Sequence, residues 1–201
     1  MRWVVGSVLL LPIIAGCGAD DGARAGETNA DSPFSAHFSE RTDFDDGRIR
    51  ETRGAFDWDA MRGWAEEERT PGDVTRTIQA GDVCFERAGN GPWKRSHASD
   101  PEGTCSSALF GSPKTQYSLL QELAGLEAAG KAEIRGTQTT HYRGVLSLGG
   151  VQGTIEVWVD DGGIVRRRRQ IGDAQGESFT QTRDYYDFGA DVTVQAPKLP
   201  S

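Results

Sequence analysis

Short runs in which every second residue is apolar, each cut off by glycine, aspartate or proline, constrain this chain more than any other feature. Such alternation puts one set of side chains on one face of a strand, and the interrupters supply turns. The clearest run is Gly153 to Val159, where Ile155, Val157 and Val159 share one face and Glu156 and Trp158 the other. Asp160-Asp161-Gly162-Gly163 follows as a hairpin turn, and Ile164 to Ile171 runs back. Ala132 to Thr140 leads into a strand through Leu148, and Ser178 to Phe188 closes the sheet. Upstream, Phe34 to Ser39 reads as a first strand ended by Asp45-Asp46-Gly47. Two strands flank Gly81-Asp82, and Trp93-Lys94-Arg95 forms a short one. The stretch from Gly54 through Trp64 to Arg69 fits a strand or a short helix equally.

One segment departs from period two. Lys114 to Ala129, after Pro113, places Leu119, Leu123 and Leu126 on one face and polar residues elsewhere, which predicts an amphipathic helix of about four turns ended by Gly130. The architecture expected is α+β, a large antiparallel sheet with helical cover.

The N-terminus has a separate logic. Arg2, an apolar run from Trp3 to Ile14, and the small residues Ala15 and Gly16 lead directly into Cys17. Charge, apolar run and small residues in that order read as a secretory signal, too short for the roughly 20 apolar residues of a membrane span. Ile14-Ala15-Gly16-Cys17 fits a lipobox, whose cysteine takes a diacylglyceryl group and an acyl chain such as palmitate. Two such chains anchor a protein stably. The division expected is therefore residues 1–16 as signal peptide, 17–32 as acylated cysteine and polar tether, and 33–201 as a single domain. That domain sits at the extracytoplasmic face of the cell membrane.

Exclusions follow from charge and spacing. At a net charge of -8, the chain is a poor partner for nucleic acid, whose phosphates it would repel. His37, His97 and His141 fall in no metal-binding frame, the serines in no nucleophile elbow, and the glycines in no phosphate loop. The expectation is a non-enzyme with no cofactor and no metal. With Cys17 acylated, Cys84 and Cys105 remain; in an oxidising compartment an even pair favours one disulfide, the alternative being two buried thiols.

Thr139-Thr140-His141-Tyr142-Arg143-Gly144, then Glu156 through Arg166, and finally Tyr186-Asp187-Phe188-Gly189 resemble actinobacterial lipoproteins of the LppX/LprG/LolA-like group. The specific part of the likeness covers roughly residues 134–197. The resemblance implies a strongly curved antiparallel β half-barrel with helices covering the concave face and an apolar cavity for acyl chains between them. Its lining would come from Tyr117, Leu120, Leu123, Leu126, Val157 and Trp158. In the Arg166-Arg167-Arg168-Arg169 run, Arg167 and Arg169 are the headgroup candidates; the plainer reading pairs these arginines with Glu156 and other acids across strands. The implied partners are a lipid or acylated amphiphile, which the protein binds and transfers, and the membrane itself. The alternative is a non-catalytic interaction or sensor module on the same fold, with a filled core that recognises an envelope protein.

Overall fold

The computed structural model describes residues 34–70, 72–97, 111–148, 150–174 and 176–199. Among the described residues, eleven strands form one antiparallel, open sheet. In chain order they are β1 (Ser35–Phe44), β2 (Ile49–Asp57), β3 (Arg62–Arg69), β4 (Asp73–Ala80), β5 (Val83–Ala88) and β6 (Lys94–His97), then, after helix α1 (Pro113–Ala124), β7 (Glu127–Ile134), β8 (Thr137–Leu148), β9 (Val151–Val159), β10 (Val165–Ala174) and β11 (Glu177–Tyr186). Their spatial order is β6-β5-β4-β3-β2-β1-β11-β10-β9-β8-β7. Two meanders thus meet where the first strand pairs with the last, Phe38 opposite Tyr185 and Glu40 opposite Arg183.

Alternation fixes the faces. Ala36, Phe38, Glu40 and Thr42 of β1 are all buried, and the residues between them are more exposed. Through the register, this face continues into Tyr185 and Arg183 of β11, Arg168 of β10 and Val157 of β9. It carries the core, where Phe38, Phe56, Cys84, Leu120, Ile155, Val157 and Tyr185 pack together. Two glycines make room for its rings. A β-carbon at Gly54 would lie 2.6 Å from the Phe38 ring, and one at Gly63 would collide with Phe56. Each ring therefore lies across a bare backbone on the neighbouring strand.

Among the described residues one helix lies on the core face, against β8, β9 and β10, so helical cover extends over part of the sheet. The helix is also shorter than its periodicity predicts. Gly125, at φ 57° and ψ 52°, adopts the left-handed conformation that ends helices, and its amide donates to the carbonyl of Gln121. Residues expected as the final turn instead form β7. The buried stripe is Gln116, Leu120 and Ala124, and Leu119 is 43 % exposed. Spacing by leucines alone selects the adjacent face, because the true stripe includes a glutamine and an alanine. The ambiguous Gly54–Arg69 stretch resolves into the end of β2, a turn with Met61 at φ 49°, and β3.

Candidate ligand-binding face

The core face has two chemically different halves. Beneath α1 it is apolar: Leu120 and Leu126 are buried against Val157, Val159 and Ile155, and Tyr117, Tyr142 and Leu146 pack half-buried at the margin. Three local features seat the helix there. Gln116 donates from Nε2 to the Tyr185 hydroxyl at 2.6 Å, a buried bond that ties the first turn to β11. Gly144 has no side chain where one would strike the Ala124 carbonyl, so the helix end rests directly on β8. Gln121 then reaches from Nε2 to the carbonyl of Leu126 at 3.0 Å and fixes the exit into β7. At the margin the Tyr117 and Tyr142 rings lie 5.0 Å apart. Burial, then the hydrogen bond with Tyr142, pushes the Tyr117 phenol up to about 12.

Towards the Thr42 end of β1 the same face is polar across β2, β1, β11 and β10. The Nε of Arg183 donates to Glu40 Oε2 at 2.7 Å, and Nη2 of Arg168 lies 3.7 Å from the same oxygen. Burial alone would raise Glu40, but Arg183, Arg168 and Arg50 together outweigh it and hold the carboxyl below its ordinary range. Arg183 is shifted the other way: desolvation opposes its charge, and Glu40 more than offsets that, raising it. Arg168 is lowered, first by burial and then by repulsion from Arg183. Alternation along β1 is the signal that finds Glu40, since it shares a face with Ala36 and Phe38. A strand read as ending at Ser39 misses it.

The residues singled out from sequence divide between the two faces. Leu120, Leu126 and Val157 are buried on the core face, Tyr117 packs half-buried against them, and Leu123 is half-buried on the helix. Trp158, Arg167 and Arg169 are on the opposite face. Trp158 stacks on His141 with centroids 4.4 Å apart and planes within 4°. Arg167 binds Asp184 through two nitrogens at 2.6 and 2.8 Å, and Arg169 lies 3.6 Å from Glu156. The reason is a register shift between Val165 and Arg167. Counted from the buried Val165, strict alternation aims Arg167 and Arg169 inward. The irregularity inserts one residue, so Arg168 takes the core side instead. The cross-strand pairing with Glu156 therefore holds for Arg169.

A cleft of about 200 Å³ opens at the strand ends, lined by Ile134, Arg135, Thr137, Arg166, Tyr185, Tyr186 and Asp187. Its walls are mostly polar, unlike an acyl-chain pocket. Cys84 is wholly buried in the core; Cys105, like Cys17, the signal segment and the tether, lies outside the described residues. Among the described residues no group of histidine, cysteine and acidic side chains has the geometry to hold a metal ion, and no helix is long and apolar enough to cross a membrane.

No protein-family model matches the chain. A Streptomyces coelicolor protein named as a lipoprotein, SCO4650, is 27 % identical over 125 residues, covering 58 % of this chain and 44 % of that protein. An uncharacterized 31.2 kDa protein of Streptomyces griseus, from the rplA-rplJ intergenic region, is 31 % identical over 88 residues, covering 43 % of this chain and 28 % of its own. The chain thus matches less than half the length of either relative. Among solved structures, LprF from Mycobacterium bovis superimposes with a TM-score of 0.51 at 15 % identity, over 82 % of this chain and 90 % of that one. The open sheet with a helix on its core face is the fold of LprF, and the chain resembles the actinobacterial LppX/LprG/LolA-like lipoproteins.

Proposed function

We propose that this chain is an extracytoplasmic lipoprotein, anchored through acylated Cys17, whose domain binds an acyl-bearing amphiphile on the core face beside α1 and transfers it between envelope sites. It does no covalent chemistry. Residues 1–16 are the signal, 17–32 the tether and 33–201 the domain. A Cys84–Cys105 disulfide ties the segment after β6 to the buried part of β5. The observation that carries the reading is the incomplete cover of an apolar half-face. The helix α1 lies on β8, β9 and β10, and Tyr117, Tyr142 and Leu146 sit half-buried at its margin. An acyl chain laid there would bury apolar surface at about 25 cal/mol per Å². Tyr117, Leu120, Leu123, Leu126 and Val157 form that lining. Trp158 stays on the outer face and takes no part.

The sensor-module reading draws on the buried Glu40–Arg183 pair, which fills the neighbouring half of the same face with polar side chains. A fluorescent acyl probe separates the two. Saturable uptake by the mature chain, reduced by Leu123→Asp, supports the amphiphile reading. No uptake at any protein concentration overturns it in favour of the sensor module. Fractionation tests the anchor: Cys17→Ser moves the protein out of the membrane fraction, and retention there contradicts acylation at this residue.

A further inference from the structure

The polar half of the core face holds more positive charge than its acids neutralise. Arg50, Arg168 and Arg183 all act on Glu40. Glu40 is hydrogen-bonded to Arg183, and these two side chains are sealed at 6 % and 3 % exposure. Arg168 and Arg50 are different: 19 % and 32 % of their side chains reach solvent, so a ligand can meet them. They are also incompletely satisfied. Arg50 comes no closer than 4.0 Å to Glu67, and the Nε of Arg50, the Nε of Arg168 and the Oγ1 of Thr52 are buried without a hydrogen-bond partner. Buried donors left unused are costly and rare in native proteins.

These groups are not scattered. Arg50 and Thr52 are same-face neighbours on β2, and Thr42, opposite Arg50, bridges towards β11. Nη2 of Arg50 donates to Thr42 Oγ1 at 3.4 Å, Nε2 of Gln181 to the same oxygen at 3.4 Å, and Nη2 of Arg168 to Gln181 Oε1 at 3.0 Å. A chain of hydrogen bonds thus joins two arginines across four strands and leaves two guanidinium N–H groups and the Thr52 hydroxyl unused. That donor set matches an oxyanion, a carboxylate or a phosphate, which accepts several charge-assisted bonds at once.

We propose that Arg50 and Arg168, linked through Thr42 and Gln181, bind the anionic headgroup of the amphiphile whose acyl chain lies beside α1. The lowering of Arg168 by burial and by Arg183 agrees with a site that lacks one negative charge. The lipid form of the proposal rests on the amphiphile reading; the oxyanion site itself does not.

The test uses the mature chain from residue 17 with Cys17→Ser, and three probes: oleate, oleyl alcohol and inorganic phosphate. Oleate and oleyl alcohol share a chain and differ in charge. The expected result is oleate binding about tenfold tighter than oleyl alcohol, with that ratio collapsing in Arg50→Gln and in Arg168→Gln. Arg50 is a third exposed, so its variant folds without leaving a sealed charge unpaired; Arg167→Gln, on the outer face, leaves the ratio unchanged. Equal binding of the two lipids overturns the headgroup site and leaves the amphiphile reading standing. If neither lipid binds but phosphate raises the melting temperature of the unsubstituted chain and not of Arg50→Gln, the site binds a free anion and the amphiphile reading fails. If none of the three probes binds, both are overturned.

Discussion

Replacing Glu40 with glutamine tests the physical centre of the sheet. The carboxylate is buried, accepts from Arg183 at 2.7 Å, and lies 3.7 Å from Arg168. Glutamine keeps the shape and one acceptor but removes the charge, leaving the buried Arg183 guanidinium facing that of Arg168 with no counter-charge between them. Breaking a buried pair from one side costs about 3–5 kcal/mol, because the remaining charge stays desolvated and uncompensated. A domain of this size loses about 2–4 °C of melting temperature per kcal/mol, so the expected drop is roughly 6–20 °C. Circular dichroism melts, with urea titration to give the free energy, read it directly. Two comparisons isolate the cause. Glu51→Gln removes an exposed carboxylate whose contact with Arg41 is just as short, 2.6 Å, and should shift the melt within error. The double change Glu40→Met with Arg183→Met removes both charges and should recover most of the loss, because an apolar pair of similar volume carries no desolvation cost. A Glu40→Gln melt within about 2 °C of the parent would refute the reasoning, since it would mean that water reaches the pair and screens it.

Three further outcomes follow. Because the Glu40 carboxyl is depressed when folded, its stabilisation is complete above the unfolded value near 4.5 and fades as pH falls through the folded value. Acid should therefore lower the urea midpoint of the parent more steeply below pH 4.5 than that of Glu40→Gln, and parallel curves would contradict the assignment. At the alkaline end the sign reverses. Tyr117 is raised to about 12, so its share of stability is present below 10 and lost as pH climbs towards 12; ultraviolet titration should show one late-ionising phenol that Tyr117→Phe removes. Gly54→Ala puts a methyl group 2.6 Å from the Phe38 ring and should cost about 1–3 kcal/mol in urea unfolding.

Much of the sheet was legible because alternation is a local property. Ile155, Val157 and Val159 declare their face without reference to any partner, and Asp160 to Gly163 forms the turn that its composition predicts. What stayed hidden depends on neighbours or on single backbone angles. The end of α1 turns on Gly125 entering the left-handed region, which cannot be told in advance from Gly130 five residues later. The inward arginine is Arg168 because one irregular residue reverses the alternation in β10. Glu40 and Arg183 lie 143 residues apart in sequence, and only the pairing of first and last strands brings them together. The apolar half of the candidate site was therefore readable, and the charged half was not.

Native mass spectrometry of the mature chain, expressed in a lipid-producing host and followed by lipid extraction, tests the amphiphile reading most directly. The account predicts a co-purifying adduct that survives gentle activation, carries at least one acyl chain, and is lost in Leu123→Asp. A lipid-free mass at every activation energy, with no adduct on adding oleate, would contradict it and leave a filled interaction module.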